Sequence, residues 1–134
     1  MDTTPVAPAS TTPTWMLWTG RVLSALPIPL LVMSAVMKLT QPPEVLEGMQ
    51  KFGFDSKLLL PLAIIELGCT ALYLIPQTAV LGAVLLTGYL GGAIVTHLRT
   101  DGGYWPALVM GVVLWLGLFF RDARLRALLP WRSL

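Results

Sequence analysis

Long apolar runs separated by short polar breaks make up most of this chain. The runs cover residues 18–37, 58–75, 78–97 and 105–120. A bilayer core of about 30 Å takes about 20 apolar residues per helix, with a working range of roughly 17 to 25. All four runs meet or approach that length. The last is short, so it either crosses with little tilt or extends through Tyr104 and Arg121. The breaks differ in kind. Pro76-Gln77 leaves almost no linker, which forces runs two and three into an antiparallel hairpin. Residues 38–57 carry a helical signature of their own. Pro42 and Pro43 suit a first turn, Val45, Leu46, Met49 and Phe52 recur on one face, and Gly53 ends the pattern. Asp101-Gly102-Gly103 reads as a loop. The pattern predicts an all-α membrane protein: a four-transmembrane-helix antiparallel bundle with a short interfacial helix between spans one and two.

Composition agrees with this pattern. Of 134 residues, 55% are hydrophobic and 12% charged, about half the charge a water-facing domain carries, and the mean hydropathy is +0.73. A formal charge of +2, spread along the chain, gives no clustered basic face for nucleic acid. Residues 1–17 read as a disordered tail rich in Thr, Pro, Ala and Ser. It lacks the basic start of a cleavable signal, so the first span is expected to stay uncleaved. Residues 131–134 form a C-terminal tail. The basic residues Arg21, Arg121, Arg124, Arg126 and Arg132 fall on the side of both termini, against Lys38, Lys51, Lys57 and Arg99 opposite. Four of the first five cluster just after the last span, which places both termini in the cytoplasm. Trp15, Trp18, Trp105 and Trp131 lie near the span ends, as an aromatic belt requires.

Glu66 alone among the charged residues falls at mid-membrane depth. An ionised carboxylate there costs several kcal/mol unless it is protonated, paired or facing a wet cavity. Thr70 and Tyr73 follow at i+4 and i+7, giving one polar stripe. The stripe is either an inter-helix staple or a ligand or proton site. The first span has its own stripe of Arg21, Ser24, Ser34 and Lys38, interrupted by Pro27 and Pro29. Tyr89, Thr96 and His97 share a face near the end of the third span. The topology brings Lys38, Glu66, His97 and Arg99 toward one half of the bundle, as an ion-pair network or as the floor of a polar pocket. Lys38 and Arg99 can equally snorkel to headgroups.

His97 has no partners at metal-ligand spacing and no second histidine, so no metal site is expected; it serves better as a hydrogen-bond or proton partner of Glu66. Cys69, the one cysteine, cannot form a dithiol within the chain. Gly88, Gly92 and Thr96, widened by Gly91, form a small-residue ladder expected to pack against another span, with homodimerisation the lesser reading. Trp115 either donates its N–H into the pocket, caps a ligand ring or fills the core.

The segments MSAVMKLTQPPEV, AIIELG, LGAVLLTGYLGGAIVTHLR and LWLGLFFRDARLRALLP together resemble the DoxX-like branch of the DoxX/DoxD four-helix membrane proteins, over residues 18–130. GYLGGAIVTHLR is the most specific part. The resemblance implies a four-span bundle in the bacterial inner membrane, with Lys38, Glu66, Gly91, Gly92, His97, Trp115 and Arg121 at characteristic positions. The wider family includes a subunit of a thiosulfate:quinone oxidoreductase and a membrane component of an oxidative-stress complex. It therefore implies an accessory membrane subunit that supports redox chemistry beside an oxidoreductase partner. No cofactor is evident, and a quinone or similar amphipathic ligand is the candidate occupant of the polar pocket. The competing readings are a non-enzymatic small-molecule or lipid-binding or permeation module, and a structural membrane partner whose polar groups only specify packing.

Overall fold

The computed structural model describes residues 12–100 and 102–131, and every regular element among them is helical. The first apolar run gives α1 (Thr14–Ala25) and α2 (Pro27–Thr40), joined at Leu26, which stays in the helical region. Pro27 and Pro29 remove two backbone donors at this joint, so the span bends there without ending. After it come α3 (Pro43–Lys51), a 3-10 turn (Ser56–Leu58), α4 (Leu59–Leu74), α5 (Ala79–Arg99), α6 (Trp105–Arg121) and the short α7 (Ala123–Leu128). Three helices are long and apolar enough to cross a membrane: Thr14–Thr40, Ser56–Leu74 and Ala79–Arg99. The fourth apolar helix, α6, has 17 residues.

Some limits differ from expectation. Helix α1 begins at Thr14, so 14–17 belong to the first span and not to a tail. Helix α5 continues to Arg99, past the expected 97. Helix α7 was not legible as an element. Its start is fixed by the Asp122 carboxylate, which accepts from the Arg124 amide at 2.9 Å. Arg126 Nη1 then donates to the Phe119 and Phe120 carbonyls at 2.9 and 2.8 Å, satisfying orphan acceptors at the end of α6. Residues 1–11, Asp101 of the expected loop, and Arg132 with the rest of 132–134 lie outside the described residues.

The bend divides the neighbours of the first span. Helix α1 lies along α6 and α2 along α4, while α4 pairs with α5 and α5 with α6; α2 and α6 barely touch. Two glycines permit the closest approaches. A Cβ at Gly117 would stand 2.8 Å from the Ser24 amide nitrogen, and one at Gly82 would stand 2.6 Å from Tyr73 Cα. At the α4–α5 hairpin the Thr78 hydroxyl donates to the Leu72 carbonyl at 2.8 Å and holds the turn shut.

Leu31, Tyr73, Ala83, Leu86, Leu90, Leu114 and Leu118 form the core. Large apolar side chains also face outward, among them Leu60, Ile64, Leu81, Val95, Val109 and Val112. A surface of that kind needs a hydrocarbon solvent, and the chain is an integral, multi-pass membrane protein.

Candidate functional site

Where α2 and α6 part, a cavity of about 530 Å³ opens in the half of the bundle away from the termini. Its polar end is built on three helices. Glu66, on α4, is only 2% exposed, and its Oε2 collects every side-chain hydrogen bond found at the carboxylate. Lys38 Nζ, from the last turn of α2, donates to it at 2.8 Å. Tyr89 O–H, from α5, donates at 3.1 Å, and Ser34 O–H at 3.4 Å. Lys38 also donates to Ser34 Oγ at 2.6 Å, so Ser34 and Lys38, one turn apart, grip the carboxylate together. The ammonium lies 5.9 Å from the Tyr89 ring centroid, adding a cation–π contact. Burial in a low-dielectric setting strengthens these interactions. Glu66 Oε1 receives no hydrogen bond from a described residue.

Most of the remaining lining is apolar: Leu30 and Leu31 from α2, Leu62 from α4, Leu90 from α5, Ala107 and Met110 from α6. Met49, Phe52 and Phe54 close one side. They are positioned by the end of α3, where Gly53 takes φ +80 and the Gly53 and Phe54 amides donate to the Gln50 and Met49 carbonyls at 3.0 and 2.9 Å. This is a Schellman cap, which a glycine at C′ allows without steric cost. His97 also lines the cavity. Its Nδ1–H donates to the Ala93 carbonyl at 2.7 Å, and its ring meets Phe52 edge-on at a 5.0 Å centroid distance. With Nδ1 committed as a donor, a neutral His97 presents Nε2 as an acceptor.

The expected residues therefore separate into groups. Lys38, Glu66 and Tyr89 converge; His97 shares their cavity without bonding to Glu66. Arg99 is exposed and stands outside the cavity lining. Thr70 is buried and spends its hydroxyl on the Glu66 backbone carbonyl at 2.7 Å. Tyr73 belongs to a second polar cluster, toward the other end of α4. There its O–H donates to the Leu114 carbonyl at 2.7 Å and lies 3.0 Å from Ser24 Oγ, with the Arg121 guanidinium 5.4 Å from its ring. Seven residues of helix rise about 10 Å, so sharing a face with Glu66 does not mean sharing a site. Trp115 donates to Thr87 Oγ1 at 2.7 Å, in a groove on the far side of α5. Cys69 is buried outside the cavity lining.

The small-residue ladder is a correction. A Cβ at Gly88, Gly91 or Gly92 would meet nothing within 4 Å, so no helix packs against them. Gly88, Gly92 and Thr96 instead line the cavity, leaving room where side chains would fill it. The glycines that bring helices together are Gly20, Gly82 and Gly117. Ser34, Met49, Phe52 and Phe54 were not singled out as site residues. Ser34 was detectable from its i+4 spacing to Lys38, whereas the aromatic residues reach the cavity only through the turn after α3.

The sequence model of the DoxX-like family matches residues 22–120, which takes in the whole cavity. No curated protein and no solved structure matches the chain.

Proposed function

The chain is a member of the DoxX-like family, and from that premise we propose a four-span protein of the bacterial inner membrane that holds a quinone-like amphipathic ligand for a partner oxidoreductase. At about 1.5 Å per residue, the 17 residues of α6 reach about 25 Å, enough to cross with little tilt. Helix α3 has no buried residue and lies as the interfacial helix on the outer face. The arginines following α6 hold both termini in the cytoplasm, so the cavity occupies the outer half of the bundle.

The observation that carries the ligand reading is the divided use of Glu66. Oε2 is saturated by Lys38, Tyr89 and Ser34, while Oε1 is left with lone pairs beside a mostly apolar cavity. A group serving only to fasten helices has no need of that cavity. A head with an O–H donor can bond Oε1, and a carbonyl or phenolate oxygen can accept a hydrogen bond from the neighbouring Lys38 ammonium. A quinol offers O–H donors and its oxidised form carbonyl acceptors on the same flat ring, and the leucine and phenylalanine walls suit its faces. Cys69 is a lone thiol, so electrons for a quinone must come from a partner and not from a dithiol of this chain.

The test is solvent extraction and mass spectrometry of gently solubilised protein, with melting temperature followed as short-chain quinones are added. A co-purifying quinone and a rise in melting temperature support the reading; absence of both removes the quinone from it.

A further inference from the structure

On the far side of the α5–α6 contact runs a second recess, a groove of about 490 Å³. Leu90 and Ala107 belong to the walls of both this groove and the polar cavity, so these two side chains are the partition between them. The groove offers nothing to a polar head. Its indole and hydroxyl satisfy each other and the backbone, with Trp115 N–H donating to Thr87 and Thr87 donating to the Ala83 carbonyl at 2.7 Å each. Its floor is bare backbone. A Cβ at Gly91 would meet nothing within 4 Å, and one at Gly111 would touch only Leu90 Cδ1 at 3.7 Å. The outer rim, Leu108, Val112 and Leu116, is exposed on the face that takes hydrocarbon solvent.

We propose that this groove is the tail subsite of the ligand whose head occupies the polar cavity, and that the ligand is a membrane amphiphile with a long apolar chain. The inference rests on the head-site reading above and adds the ligand's second half and its route. The adjacency of the two recesses across Leu90 and Ala107 selects this occupant: a chain leaving the head site between α5 and α6 enters the groove by displacing one leucine side chain. The ligand then arrives laterally from the bilayer, its tail exchanging places with lipid acyl chains. Groove and cavity together divide one molecule by polarity, hydrogen-bonding ring on one side of Leu90 and hydrocarbon on the other.

The experiment compares two probes with the same quinone ring, one tail-free and one with a ten-carbon tail, binding to the full chain in lipid nanodiscs. Gly91→Leu fills the groove from α5, where the new side chain has open space, and Val112→Trp fills it from α6. Either substitution is expected to weaken the tailed probe at least about tenfold while leaving the tail-free probe within about twofold of the unsubstituted protein. Unchanged affinity for the tailed probe in both variants overturns the proposal and leaves the groove to annular lipid. A dimer of the unsubstituted protein that Gly91→Leu and Val112→Trp convert to monomer overturns it in favour of a second copy. If neither probe binds the unsubstituted protein, the head-site reading falls with it; if the tail-free probe alone binds, the head site stands and the tail subsite does not.

Discussion

Lys38 Nζ stands 2.8 Å from Glu66 Oε2, joining α2 to α4 across 28 positions of sequence. The pair is asymmetric, with the lysine side chain 15% exposed and the carboxylate 2%. The carboxylate is thus the buried anchor of the cluster, held through Oε2, and Oε1 is the oxygen left for a ligand. Removing a partner from a buried pair costs about 3–5 kcal/mol, since an uncompensated charge is left behind. Lys38→Met is expected to cost about 3 kcal/mol. The double variant Lys38→Met/Glu66→Leu should recover most of that loss. Thermal unfolding in detergent of the single and double variants measures this.

The two classes of glycine should respond oppositely. Gly82→Ala drives a methyl to within 2.6 Å of Tyr73 Cα, where backbone must move, and should cost about 3 kcal/mol or more. Gly88→Ala projects into open space inside α5 and should raise stability by about 0.5–1 kcal/mol, the helix-propensity gain of alanine. The comparison is read from melting temperatures under one detergent condition.

Tyr73→Phe removes the hydroxyl bonded to Leu114 and Ser24, and is expected to cost about 1–2 kcal/mol. Ligand affinity should be unaffected, because Tyr73 lies outside the cavity lining. Tyr89→Phe should cost a similar amount of stability and in addition weaken ligand binding by roughly tenfold through the Glu66 cluster. Measuring stability and affinity on both variants separates the two polar clusters.

Gly53→Ala places a Cβ at φ +80 and should cost about 1 kcal/mol at the end of α3. Phe52 and Phe54 then lose their fixed seat over the cavity. Faster amide hydrogen exchange over residues 49–54, accompanied by weaker ligand retention, is the expected result.

Much of this arrangement was legible in the sequence. Apolar run lengths located the four long helices to within a few residues, since a bilayer-spanning length is a strong constraint. The alternating directions of the spans determined which ends lie together, and this brought Lys38 toward Glu66. What periodicity cannot carry is the identity of a neighbour. Glu66 and Tyr73 share a face of α4, yet the bend at Leu26 sets α2 against the first and α1 against the second. A small-residue ladder likewise has one sequence signature whether a helix packs on it, as at Gly82, or a cavity opens over it, as at Gly92. The roles of Phe52 and Phe54 depended on the turn after α3, which no spacing rule aims.

The central claim is that Glu66 binds the head of an amphipathic ligand through its unsaturated oxygen, and Glu66→Gln tests it most directly. The glutamine keeps the shape of the site while removing the charge. Quinol affinity in nanodiscs, measured on both proteins with the fold checked by circular dichroism, should fall at least about tenfold in the variant with helicity unchanged. Equal affinities in two equally folded proteins contradict the account and leave Glu66 as a fastening between α2, α4 and α5.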